Sequence, residues 1–385
     1  MPRPLRAELF DPNEVCIVHC VQRCVRRAFL AGNDPLTGRD YSPRREWIRT
    51  RMERLASVFG IDILTYAILS NHLHVVQRNR PDVVSQWSDH EVARRWLSVF
   101  PGQRIDEFLG NPTQSSIDAL VGDACRIAEI RLRLSNPSWF MRALAEPIAR
   151  LANREDQCTG RFWEGRFKAQ AITDEAGLLA CSMYVDLNPI RAAMAVNPEQ
   201  SVHTSAYDRI GAMHGQTIPS AAASPVILST EETGRIRRTS TSEQLRQRRT
   251  KARRERGQSI LKDAWLSPLP LIEKGPLGPQ PSASGVRASD RGFLSMSLAD
   301  YLILLDWTGR HGPSMGKAEI PPDVQPILVR LRIDASMWLD LVWRFKKYFQ
   351  GSAAGSPESL ARNASDQGHR WRRGQRAVKK CFAKK

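Results

Sequence analysis

Two histidines one residue apart close an apolar run, Tyr66-Ala67-Ile68-Leu69-Ser70-Asn71-His72-Leu73-His74-Val75-Val76. In a strand, alternate side chains share a face, so His72 and His74 project together while Leu73 is buried behind them. Two imidazoles a pleat apart can reach one metal ion. Far downstream, Met183-Tyr184-Val185-Asp186-Leu187-Asn188-Pro189 sets Tyr184 and Asn188 four apart, one helical turn. The combination points to a metal-assisted tyrosine nucleophile. Alone, the histidine spacing also suits a strand pair with one hydrogen-bonded and one solvated ring, or the zinc site of a hydrolase. Tyr184 alone also suits a packing helix, and Asn188 a helix C-cap before Pro189.

The chemistry has a natural substrate. The chain of 385 residues carries 57 Lys and Arg against 40 Asp and Glu, a net charge of +17, which points to a polyanion and most simply to nucleic acid. A phosphodiester repels nucleophiles, and a divalent ion on a non-bridging oxygen lowers that barrier. Tyrosine is a poor nucleophile while protonated, with an ordinary pKa near ~10; a nearby cation favours the phenolate, and a covalent intermediate keeps the bond energy for religation. His72 and His74 would supply two ligands and Asn188 an oxygen. Mg²⁺ or Mn²⁺ suits such a site, with water and substrate oxygens completing an octahedral shell. Gly177, Ala180 and Cys181, one and two turns before Tyr184, are small, which is expected to leave room for a DNA strand.

The elements that would hold these residues follow from periodicity. A first strand is expected within Val15–Ala28, a helix over Pro43–Phe59 ended by Gly60, and one or two strands over Ile61–Val76. A mostly helical stretch follows over about 81–153, with helices at Glu91–Phe100, Ile117–Leu134 and Trp139–Asn153. The segment Arg161-Phe162-Trp163-Glu164-Gly165-Arg166-Phe167-Lys168 interleaves cations with rings, as single-strand binding surfaces do. Arg161, Trp163, Arg166 and Lys168 are therefore candidate DNA contacts, with Phe162 and Phe167 as core and Arg26, Arg27 and Arg191 in support. Asp174 has the position of an N-cap for a helix reaching about Asn188, where Pro189 disfavours its continuation. Cys16, Cys20 and Cys24 with His19 between them resemble a strand with buried cysteines more than a zinc site. Seven cysteines, an odd number with no secreted spacing, fit a reducing compartment.

The length suggests two domains. Residues 211–296 turn to Ser, Ala, Pro, Gly and Arg and read as a linker that includes the basic run Arg246–Arg256, either a solvated helix or a phosphate-gripping arm. A helical C-terminal unit is expected over 297–385, with helices at Leu298–Thr308, Asp323–Leu331 and Ala335–Phe349 and a basic tail. In the third of these helices, Met337, Leu341, Phe345 and Tyr348 read as core. No apolar stretch is long enough for a bilayer, and the start lacks an apolar signal core, so a cytoplasmic location is expected.

Over roughly residues 1–210 the chain resembles the single-tyrosine HUH transposases, in particular the REP-associated tyrosine transposases. The matching blocks are His72-Leu73-His74, Gly160 to Lys168, Leu179 to Ala192 around Tyr184 and Asn188, and His203-Thr204-Ser205-Ala206-Tyr207. The resemblance implies an α+β, ferredoxin-like antiparallel sheet with flanking helices, the histidines on a central strand and the tyrosine on a helix facing them. It implies cleavage and rejoining of single-stranded DNA near hairpin or palindromic repeats through a 5′-phosphotyrosine, by a monomer or by a homodimer with the tyrosine in trans. Two competing readings are a metal-dependent phosphodiesterase in which water attacks, and a non-catalytic DNA-binding regulator.

Overall fold

In the computed structural model the described residues are 9, 11–25, 30–34, 38–100, 112–221, 259–272, 278–312 and 321–383. Arg26, Arg27 and the Arg246–Arg256 run lie outside them. The elements in chain order are β1 (Ile17–Arg23), α1 (Pro43–Val58), β2 (Ile61–Ile68), β3 (His72–Asn79), α2 (Pro81–Val84), α3 (Asp89–Val99), α4 (Gln114–Val121), α5 (Ala124–Leu134), α6 (Pro137–Glu155), β4 (Lys168–Ile172), α7 (Glu175–Asp186), α8 (Asn188–Arg191) and α9 (Ser205–Met213). A short hairpin, β5 (Thr217–Pro219) with β6 (Ser259–Leu261), precedes α10 (Leu298–Arg310), α11 (Gln325–Arg330), α12 (Trp338–Trp343), α13 (Phe345–Tyr348), β7 (Ala353–Ala354), α14 (Pro357–Asp366) and α15 (Gln375–Val378).

The fold is α+β, built on one mixed five-stranded sheet of order β2-β3-β1-β4-β7. The first four strands are antiparallel neighbours, and β7 joins β4 in parallel. Alternation along β1 and β3 divides the core. Val18, Cys20, Leu73 and Val75 pack with α1 and α3–α6 on one face. On the other, Val76 packs with α7 and the helices of 298–382. The helical insertion of 81–153 thus covers the face opposite His74. The cysteines Cys20 and Cys24 are buried core side chains, as their strand spacing implies. Ile117–Leu134 is two helices, because Gly122 ends α4 and the Asp123 carboxylate accepts from Arg126 N at 2.9 Å to start α5.

Two expectations give way. Residues 259–272 and 278–296, in the stretch read as linker from its composition, are built into the molecule: Trp265 is buried against Tyr66, and Phe293 and Leu294 enter the core. Buried Arg78 donates to Asp62 at 2.7 Å and to the carbonyls of Arg291 (2.6 Å) and Gly292 (2.9 Å), while Ser289 N donates to Asp62 at 3.0 Å. The Arg291 and Gly292 carbonyls and the Ser289 amide are thereby satisfied by buried side chains of the sheet. Among the described residues, the helices of 298–382 also share their core with the sheet and α7. Tyr301, Trp338, Leu341 and Phe345 share one cluster with Leu179, Met183 and Tyr184 of α7. Among the described residues no helix is long and apolar enough to cross a membrane.

Candidate active site

The site begins with α7. Asp174 caps it, accepting from Gly177 N at 2.8 Å, and every residue from Ala176 to Asp186 is buried. A helix apolar on all sides must be covered on all sides, by β2 and β3 beneath and by α12 and α13 above. At its end, buried Asp186 accepts from Ser205 Oγ (2.5 Å), Ala206 N (3.1 Å) and Tyr301 Oη (2.7 Å). Three donors compensate its burial, which raises its pKa. Tyr184, two residues earlier on the same helix, is 1% exposed.

The strands bring three histidines beneath it. Register sets Val21 opposite His74 and Arg23 opposite His72, so His19 is the diagonal neighbour of His74, within reach for long side chains. The His72 and His74 ring centroids are 4.9 Å apart, and those of His74 and Tyr184 5.6 Å, edge to face. His19 stacks on His74 at 5.1 Å, with its Nε2 2.8 Å from His74 Nδ1. The sequence-predicted trio of His72, His74 and Tyr184 is therefore together in space. His19 joins it although its own spacing signalled only a strand.

Gln170 Nε2 donates to the carbonyls of Phe349 (2.9 Å) and Gly351 (2.8 Å), which leaves its Oε1 as an acceptor on the side of His19. His19 Nε2 and His74 Nδ1 share one hydrogen bond that either ring can donate. His74 Nε2 is buried and without a partner. His72 Nδ1 is likewise held by the Asn71 side-chain oxygen, leaving its Nε2. Burial lowers all three pKa values, to about 3 for His19, to about 4 for His72 and well below the ordinary value for His74. The positive charge of Lys346 adds to each shift. Neutral imidazoles with unoccupied Nε2 atoms are the ligating form, and a ring fixed through its other nitrogen is the usual support. The histidine pair thus fits a divalent ion.

A third ligand is less clearly provided. Asn188 is buried at the first turn of α8, where its Nδ2 donates to Tyr184 O at 3.2 Å. It therefore satisfies an orphan carbonyl at the end of α7, with its carboxamide oxygen left over. Among the described residues no three His, Cys, Asp or Glu side chains converge on a metal position, so an amide, water or substrate oxygen would have to complete the shell.

A cleft of about 430 Å³ opens over these groups. His19, His72 and Tyr184 line it, together with Arg23, Arg166, Lys168, Lys346 and Arg373 and one carboxylate, Glu164. The Arg161–Lys168 segment is stitched to the end of β1 through Val25 N to Phe162 O (2.9 Å) and Glu164 N to Arg23 O (2.9 Å). This puts Arg166 and Lys168 at the rim, with Phe162 and Phe167 buried. Arg161 is exposed but outside the cleft lining. Trp163 is half-buried, its indole donating to Ala145 O at 2.8 Å and its ring against Phe162, so that ring is committed to the protein. The Arg191 guanidinium lies 4.7 Å from the Tyr184 ring centroid.

One contact reverses a sequence expectation. The small face before Tyr184 is not open: a Cβ on Gly177 would meet Ala354 O and Gly355 Cα at 2.7 Å. The clearance admits β7, and the approach to Tyr184 is instead from the side of the cleft.

No family model matches this chain, and no curated protein matches it in sequence. Among solved structures, a REP-associated tyrosine transposase bound to a REP hairpin is similar at 12% identity, covering 60% of this chain and 96% of that one, with a TM-score of 0.31. A likeness of that size carries no argument about this chain, whose reading rests on the geometry of the site.

Proposed function

We propose that the protein is a metal-dependent endonuclease and strand transferase for single-stranded DNA, a transposase-type enzyme acting near hairpin or palindromic repeats with Tyr184 as nucleophile. The observation that carries this is the edge-on packing of Tyr184, which lines a cationic cleft, against His74, buried behind that lining with an unpartnered Nε2. The strand order β2-β3-β1-β4, antiparallel throughout, supports the ferredoxin-like reading of the sheet. A cleft of about 430 Å³ is of small-ligand size, which suits a nucleotide of one flexible strand.

In this reading Arg23, Arg166 and Lys168 grip backbone phosphates and set one phosphodiester against Tyr184. Mg²⁺ or Mn²⁺ held by His72 and His74, with Asn188 as the third protein ligand, would polarise a non-bridging oxygen of that group. The Arg191 guanidinium lies over the Tyr184 ring and adds positive charge beside the reacting group. Tyr184 Oη forms a bond to phosphorus as the bond to the 3′ oxygen breaks. The phenolic proton leaves to solvent, and the departing oxygen takes one up. The products are a 5′-phosphotyrosine and a free 3′-hydroxyl; one ester replaces another, so the step reverses when a 3′-hydroxyl attacks. With His74 donating from Nδ1 to His19, its Nε2 would be free for the ion.

The test is to mix protein and Mn²⁺ with labelled single-stranded DNA carrying imperfect palindromes from around its own gene, and to resolve products on a denaturing gel. The expected product is a slow, protease-sensitive DNA–protein band, absent with Tyr184→Phe and with His74→Ala. Cleavage without that band would assign the attack to water, and binding without cleavage would leave a DNA-binding regulator.

A further inference from the structure

The cleft has a wall drawn from a part of the chain remote from the strands and α7. The expected helix Ala335–Phe349 is interrupted at Arg344, between α12 and α13. The interruption turns Phe345 inward, where its ring stacks on Tyr184 at 4.8 Å and 19°. The next residue, Lys346, is exposed, and its Nζ stands over the same tyrosine, 5.9 Å from the ring centroid. This turn is anchored: Gln170 holds the carbonyls of Phe349 and Gly351, β7 pairs with β4, and Asp174 accepts from Ser356 N at 2.8 Å.

We propose that Lys346 binds a phosphodiester of the nucleic acid in this cleft, so that the C-terminal segment forms part of the DNA-binding site. The inference rests on reading the cleft as a nucleic-acid site and adds a contact from outside the histidine and tyrosine elements. Charge argues for it. Five cations, Arg23, Arg166, Lys168, Lys346 and Arg373, face one cleft with a single carboxylate, Glu164. Like charges gathered in a concave, low-dielectric space repel one another and focus a field that an anion relieves. The adjacent lysine makes the contrast. Lys347 lies 3.7 Å from Asp340 and does not line the cleft, whereas among the described residues no carboxylate pairs with Lys346. A flexible stem with a compact ammonium can follow a phosphate placed beside Tyr184.

The experiment is a fluorescence-anisotropy titration of 5′-labelled oligothymidylate, without divalent ions so that the probe stays intact, at several salt concentrations. Wild type is compared with Lys346→Met and with Lys347→Met, which removes the same charge one residue away. Loss of a phosphate contact is expected to weaken binding roughly tenfold for Lys346→Met and to reduce the log–log salt slope by about 0.7. Lys347→Met is expected to change affinity less than about twofold. Equal effects of the two variants, no effect of Lys346→Met, or no binding by wild type each overturns the proposal. The covalent adduct is read separately. An adduct-forming protein whose Lys346→Met variant binds normally defeats this inference alone. Lys346-dependent binding by a protein that forms no adduct defeats the nucleophile reading alone.

Discussion

His19 shows how a residue acquires a role from its partners. Its ring lines the cleft wall while staying buried, and it links Gln170 to His74 through hydrogen bonds. Supports of this kind tune a ligand's orientation and basicity. The expected effect of His19→Phe is a roughly ten- to hundredfold loss of Mn²⁺ affinity by isothermal titration calorimetry, with His19→Asn restoring part of it. An affinity unchanged in His19→Phe would mean that packing alone orients His74. The histidine pair and Tyr184 were legible in the sequence, because a strand's two-residue repeat and a helix's turn are local rules. His19, Gln170, Phe345 and Lys346 were not, because their convergence depends on register between strands and on a segment remote in sequence.

Helix α7 is the element on which the site turns. Its capping by Asp174 and its span were readable from the N-cap and from Pro189. Its surroundings were not: the run of small residues looked like access for a substrate and is in fact the seat of β7. A methyl group at Gly177 would press on the Ala354–Gly355 backbone, which cannot move without breaking the pairing of β7 with β4. Gly177→Ala is expected to destabilise the protein by about 1–3 kcal/mol, as overpacking does, and thermal unfolding measures it. A melting temperature equal to wild type would show that β7 yields freely. The turn between α12 and α13 is the second decisive element, since an unbroken helix over Ala335–Phe349 would not bring both Phe345 and Lys346 to Tyr184.

On the scale of the molecule, composition suggested a catalytic region, a linker and a separate helical unit, and the structure joins them. Tyr301 and Asp186 form a buried hydrogen bond between α10 and α7, and Trp338, Leu341 and Phe345 lie in the same core as Tyr184. A chain ending at residue 296 would expose the outer side of α7, an apolar patch of the kind that drives aggregation. Such a truncation is expected to be insoluble or to lack a cooperative unfolding transition. A soluble fragment 1–296 with a sharp transition would show that the second layer is dispensable. By itself, the sequence determined what obeys short-range rules: the alternation that pairs His72 with His74, the capped helix bearing Tyr184, and the cationic excess of the chain. Only the tertiary structure decided that His19 supports His74, that Gly177 receives a strand, and that Lys346 completes the cleft. These depend on strand register and on burial of α7 from both sides, long-range contacts that no local pattern encodes.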